Sequence, residues 1–340
     1  MYHSMQGCLK PKICKYSLQI TKVDCGDSHL AFVTECGHLY SMGSNEKGKL
    51  GLGNTDVSHT AVPSLVDYFG DQPIVNVSCG KYHTSAVAWN GQVYTWGDHK
   101  HNALGYEWNQ SVPQPQVVNY FTRYQIKIEN VSWGWHHTAF LSATGDVFLC
   151  GSHKKGSQTQ IQLLQMPEKC NDVQCGENEV LLLTKSGFVY SVDLLTDGAF
   201  YPTKIKQLET EFVTKIAWSK SCAAISDDGI LYVWGKSILG DFPTPEKIQC
   251  IPKSVVDVSL GSSLSACIDS SGLIWAWGRN TNGELGVGDW EQKATPFPVM
   301  SLKSKKVTSL SCGGFYYVAI GSPISPMMHK NGKMTQSKSS

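Results

Sequence analysis

Three histidines stand at matched places in the chain, each three residues after a glycine: His29 after Gly26, His83 after Gly80 and His137 after Gly134. Imidazole is a frequent ligand of transition metals, so three of them delivered from three repeats could ring an ion. No carboxylate or cysteine accompanies them at a ligand spacing, and a structural duty is the plainer expectation. No metal and no cofactor are expected. The residues beside these histidines carry a different chemistry. Lys81-Tyr82, Trp135-His136 and Gly314-Phe315, the last with Tyr316 next to it, follow the repeat glycines Gly80, Gly134 and Gly313, where other units have Asp27-Ser28, Glu177-Asn178, Lys220-Ser221 and Ser262-Ser263. Aromatic and basic side chains on a turn are the types that dominate protein interfaces. These six residues, Lys81, Tyr82, Trp135, His136, Phe315 and Tyr316, are the expected partner-binding set, against the plainer alternative that they pack between neighbouring units.

Enzyme signatures do not appear. There is no G-x-S-x-G elbow, no G-x-x-x-x-G-K phosphate loop and no H-E-x-x-H, so no catalytic residue is expected. Twelve cysteines are scattered through apolar stretches with no C-x-x-C, which reads as buried thiols in a reducing compartment. Lys and Arg total 29 against 28 Asp and Glu, so bulk charge draws the chain neither to nucleic acid nor to an anionic membrane. The only arginines are Arg123 and Arg279. The N-terminal MYHSMQGCLKPK lacks an apolar signal core, and apolar runs such as Val180 to Leu183 are too short to span a bilayer. The expected setting is intracellular, cytoplasmic rather than nuclear, with no membrane insertion.

The elements that must position these residues are short strands. VSCGKYHTSAVAWNGQVYTWG, from Val77 to Gly97, reads as two strands around an Asn90-Gly91 turn, a dipeptide that tolerates positive φ. The pattern recurs: hairpin glycines fall at Gly37, Gly91, Gly145, Gly187, Gly229 and Gly272, spaced by 54, 54, 42, 42 and 43 residues. Three residues after each comes an aromatic, Tyr40, Tyr94, Phe148, Tyr190, Tyr232 or Trp275. Six after comes Gly43, Gly97, Gly151, Gly235 or Gly278, with Asp193 the exception. Six before lie Ala31, Ser85, Ala139, Leu181, Ala223 and Ala266, small in five units, as crowded backbones require. Such a period marks propellers and solenoids.

CGDSHLAFVTECGHLYSMGSNEKGKLGLG at Cys25 to Gly53 and LGSSLSACIDSSGLIWAWGRNTNGELGVG at Leu260 to Gly288 resemble the regulator of chromosome condensation repeat. The resemblance covers roughly residues 20 to 320 and weakens in the fourth unit, where the G-x-L-G segment is missing. It implies an all-β, seven-bladed β-propeller over residues 1–321, with 322–340 a disordered polar tail. The seventh unit stops after Ile320, so residues 1 to about 20, including Ile13 to Ile20, are expected to lie against it and close the ring with strands from both termini. The His29, His83 and His137 places match the family's usual histidine. The resemblance also implies a protein partner, and the function expected is a scaffold or adaptor. The alternative is nucleotide exchange on a small GTPase, which implies an acidic residue and a histidine on the rim loops and an inserted wedge. Asp27 and Glu177 lie one residue from the acidic place, and the third-unit insertion Ser152 to Gln158 is short. Chromatin binding is third, with Lys10, Lys12 and Lys15 the only terminal basic group before the tail. A likeness to the family's plant UV-B photoreceptor rests on Gly134-Trp135-His136-His137-Thr138, where histidine replaces arginine.

Overall fold

The computed structural model describes residues 2–3, 9–13, 18–106, 110–151, 160–194, 200–237 and 240–323. Six four-stranded antiparallel blades follow one another, each from continuous chain. Blade one runs from the inner strand Ile20–Cys25 through His29–Thr34 and Leu39–Ser44 to the outer His59–Leu65. The inner strands of blades two to six are Ile74–Cys79, Ile128–Trp133, Cys170–Cys175, Val213–Trp218 and Val255–Leu260. Blade six ends with Lys293–Pro298.

The expectation of a seven-bladed ring is corrected here. Six blades are complete, and in place of a seventh of their kind stands a composite sheet. It holds two long strands, Lys305–Cys312 and Tyr317–Pro323, joined by the two-residue strands Tyr2–His3 and Lys12–Ile13. Tyr2 pairs with Ala319 and Ile13 with Tyr2. The segment from Ile13 to Ile20 is not a strand of this sheet: Ile20 already opens blade one and pairs with Thr34. The physical reason is length, because an inner strand of six residues must start at Ile20 for Cys25-Gly26 to reach the channel. Ser322 and Pro323 continue the strand begun at Tyr317, and the tail beyond them lies outside the described residues, as does the whole of the Ser152 to Gln158 insertion.

Burial explains why the strands do not all alternate. The second strands His29–Thr34, His83–Ala88, His137–Ser142, Ser221–Ser226 and Leu264–Asp269 are buried at every residue, since each blade is sandwiched face to face between two others. Their midpoints Ala31, Ser85, Ala139, Ala223 and Ala266 are all but inaccessible. Outer strands carry prolines, at Pro63, Pro113, Pro115, Pro243, Pro245, Pro296 and Pro298, which blunt exposed edges against further pairing.

Two sets of hydrogen bonds tie neighbouring blades together. At one end, the hairpin glycine carbonyls of Gly37, Gly91, Gly145, Gly187, Gly229 and Gly272 accept the N–H groups of Ile74, Ile128, Cys170, Val213, Val255 and Val307, at 2.8–3.1 Å. All six glycines have φ between +78° and +88°. At the other end, side chains two residues before the repeat glycine accept the next blade's backbone. Cys79 N–H donates to Asp24 Oδ2 at 2.7 Å and Cys175 N–H to Ser132 Oγ at 2.8 Å. Cys312 N–H donates to Ser259 Oγ and Cys25 N–H to Ser311 Oγ, both at 3.0 Å. The last two bonds set Lys305–Cys312 between blades six and one.

Candidate functional site

The inner strands enclose a central channel of about 700 Å³. Its wall is polar at one level. Asn76 Nδ2 donates to Asn130 Oδ1 at 3.2 Å, Asn130 Nδ2 donates to Asp172 Oδ1 at 3.1 Å, and Lys215 pairs with Asp257. Burial pushes the Asp172 carboxyl up to about 6, although the Val173 N–H, Gln174, Lys215 and Asn130 all favour its charge. Burial likewise raises Asp24 against its hydrogen bonds from Cys79 and Ser311. This belt ties strands together around the channel.

The three matched histidines lie beneath the channel mouth in successive blades and do not converge. His29 Nε2 is 2.8 Å from Thr84 Oγ1, which in turn donates to the Lys49 carbonyl. The His83 ring stacks on Trp133 at 4.9 Å. Burial drives His29 well below its ordinary value and His83 down to about 4, so both are neutral spacers between blades. Among the described residues no three His, Cys, Asp or Glu side chains form a group able to hold a metal.

The residues singled out for binding lie on the turns at the channel mouth. Trp135 is 41% exposed and Phe315 44%, while Lys81, Tyr82 and His136 are half-buried. The Lys81 ammonium lies 5.3 Å from the Tyr82 ring centre and 5.2 Å from that of Trp135, so one cation joins two blades. Phe315 has the Arg279 guanidinium of blade six over its ring at 5.4 Å. Tyr316 turns inward instead: its phenol donates to the His29 carbonyl at 2.6 Å and to that of Gly26 at 3.2 Å.

Two contributors, Lys49 and Trp290, were not read from the sequence. Lys49, from the G-x-L-G loop of blade one, is buried, donates to Ser28 Oγ at 2.8 Å and the Lys81 carbonyl at 3.4 Å, and faces Tyr82 at 5.4 Å. Burial lowers its pKa. Asp27 joins the composite sheet to blade one, its carbonyl accepting from Gly314 N–H at 3.2 Å. Trp290, 48% exposed, follows the equivalent loop of blade six. The only advance signal was that blades one, two and six keep this loop.

Models of the regulator of chromosome condensation (RCC1) repeat match residues 36–87, 90–141 and 271–320, and a second form of the repeat matches 20–49 and 255–284. The chain belongs to the RCC1 repeat family. It is 29% identical over 285 residues to the ultraviolet-B receptor UVR8 of Arabidopsis thaliana, covering 81% of this chain and 56% of the receptor. It is 31% identical over 317 residues to the probable E3 ubiquitin-protein ligase HERC3 of Homo sapiens, covering 71% of this chain and 30% of the ligase. The chain therefore spans about half or less of these relatives. Among solved structures, Prp20p of Saccharomyces cerevisiae, described with its binding to Gsp1p and histones, superposes with a TM-score of 0.81 at 19% identity, over 95% of this chain and 91% of that one. That likeness shows the shared propeller fold. The relatives' differing activities mark the propeller as an interaction or regulatory module rather than one chemistry.

Within the RCC1 repeats, blade two departs from its own siblings at the rim. Asn45 Nδ2 donates to the Asn54 and Val57 carbonyls and its Oδ1 accepts Leu50 N–H; Asn280 does the same for Asp289, Glu291 and Leu285. The equivalent residue in blade two is His99, whose Nδ1 has no hydrogen-bond partner among the described residues. The glycines Gly48 and Gly283 are replaced by Asn102, held at φ +53° beside His101 at +62°.

Proposed function

We propose that this chain is a protein-interaction module whose partner docks on the channel-mouth crescent of Phe315, Tyr82, Lys81 and Trp135. The observation that carries this is the Lys81 ammonium seated between Tyr82 and Trp135, which fixes two aromatic faces at the mouth while leaving Trp135 exposed. Rigid aromatic surface with a cation beside it loses little entropy on binding and gains contact area. Tyr316, spent on backbone carbonyls, is left out of the contact set.

A small-GTPase partner is the second reading, supported by the likeness to Prp20p and by Asp27 at the mouth beside Gly314. The experiment is affinity capture of partners by the propeller, measurement of the affinity of the captured protein for Trp135→Ala and Phe315→Ala, and a nucleotide-release assay where that protein is a GTPase. Each variant should bind about 5- to 150-fold more weakly, with an unchanged melting transition. Trp89→Ala, 68% exposed at the hairpin-turn end, should bind as the parent does. Equal affinity of all three variants would refute the proposed surface.

A further inference from the structure

The crescent ends, on its blade-three side, in a cluster of imidazoles. The His101 and His136 rings face each other with centres 4.3 Å apart and planes at 49°. His99 lies two residues from His101, its Nδ1 3.9 Å from Asp98 Oδ1. These replacements have removed the loop-holding asparagine and glycine of blades one and six. One non-glycine residue, Asn102, consequently holds the left-handed backbone that Gly48 and Gly283 hold in those blades, while His101 at φ +62° repeats the conformation of Lys47 in blade one at +64°.

The surrounding charge is lopsided. Lys81 lies over Trp135, Lys49 reaches the Lys81 carbonyl, and Lys100 is exposed next to His101. Among the described residues none of these three lysines forms an ion pair, whereas Lys169, Lys204, Lys215 and Lys293 each do. The carboxylates near them are Asp98, which is buried against His99, and Asp27 and Glu46 on the blade-one side of Lys49. His83, under the cluster, is neutral because it is buried.

We infer that the His101–His136 pair, with Lys81 and Lys100, is a docking point for an acidic segment of the protein partner, bound more tightly as the imidazoles take up protons. Two facing imidazoles disfavour double protonation by mutual repulsion. A carboxylate at the edge of the pair offsets that repulsion as the protons enter. Affinity is therefore expected to rise as pH falls through the histidine range. The inference rests on the partner surface proposed above and adds the partner's chemistry.

The probes are labelled oligoglutamate, oligoglutamine and oligolysine peptides, titrated by fluorescence polarisation at about pH 7.5 and about pH 6. Oligoglutamate should bind roughly tenfold more tightly than oligoglutamine and gain a further 3- to 10-fold at the lower pH. The double variant His101→Gln/His136→Gln should lose that gain, while His38→Gln, exposed beside the Gly37 turn, should keep it. Lys81→Gln should weaken binding at both pH values. Melting curves confirm that each variant is folded, and a destabilised double variant is replaced by the single changes. No preference for oligoglutamate, or a pH gain that survives in the histidine variants, would overturn the inference. If Trp135→Ala still abolishes capture of the protein partner in that case, the interaction surface stands and only its acidic-partner chemistry falls.

Discussion

Replacing Gly91 by alanine tests how the blades are locked together. The residue has φ +83°, where an alanine costs about 1 kcal/mol from backbone strain alone. A Cβ there would also lie 2.6 Å from Lys127 Cβ and 3.0 Å from Lys127 Cα, so the first residues of blade three must move away. That movement stretches the bond from Ile128 N–H to the Gly91 carbonyl, now 2.9 Å, and leaves its buried groups poorly paired for about 1–3 kcal/mol. The sum is roughly 2–4 kcal/mol. Gly53 supplies the control. It has the same φ of +83°, yet nothing lies within 4 Å of an added Cβ, so Gly53→Ala should cost only the strain of about 1 kcal/mol. Both variants are compared by urea unfolding and by melting, where each kcal/mol shifts the midpoint by roughly 1–2 °C in a chain of this size. Equal losses for the two variants would refute the claim that close approach between blades, rather than turn conformation, governs this glycine.

The remaining predictions concern protons, thiols and the channel. Asp172 has its carboxyl raised from 3.8 to about 6 by burial, so the folded state binds its proton more tightly than the unfolded state. That contribution to stability is complete below about pH 4 and is lost as pH rises through about 6; channel water limits it to the order of 1–2 kcal/mol. Asp172→Asn should flatten the pH dependence of the unfolding midpoint over that window, and an unchanged slope would contradict the burial argument. Burial pushes the thiols of Cys175 and Cys312 up to about 12 and Cys25 well above its ordinary value, so all three should resist alkylation in the native protein while exposed Cys36 and Cys250 react. Mass spectrometry after brief labelling reads this directly, and rapid modification of Cys175 would contradict it. Asp24→Ala removes the acceptor of both Cys79 N–H and Ser311 Oγ–H and should cost about 2–5 kcal/mol in urea unfolding; a loss under about 0.5 kcal/mol would show that the inner hydrogen bonds do not hold the ring.

Much of the fold was legible because its constraints are local. Gly91 and its five counterparts announce themselves by spacing, and the same residues turn out to have positive φ and to receive the next blade's N–H. The small residues from Ala31 to Ala266 mark the crowded second strands in the same way. The composite sheet was not legible in detail. Two-residue strands such as Tyr2–His3 and Lys12–Ile13 carry no periodicity, and their pairing is settled by the free edge of Tyr317–Pro323. At the site, Trp135 and Phe315 could be named from their place after the repeat glycine, but the cations that orient them come from other blades. Arg279 and Lys81 are separated in sequence from the Phe315 and Trp135 rings they face by 36 and 54 residues, and no single repeat displays that pairing. Tyr316 shows the converse: its type and position suit an interface, yet two backbone carbonyls within reach draw its phenol inward.

The most direct test of the partner surface is hydroxyl-radical footprinting of the propeller with and without its captured partner. If the channel mouth is the docking face, oxidation of Trp135 and Phe315 should fall severalfold in the complex while Trp89, at the opposite end of the strands, is oxidised at the same rate in both states. Protection of Trp89 with Trp135 and Phe315 unchanged would place the partner on the other face and contradict the account.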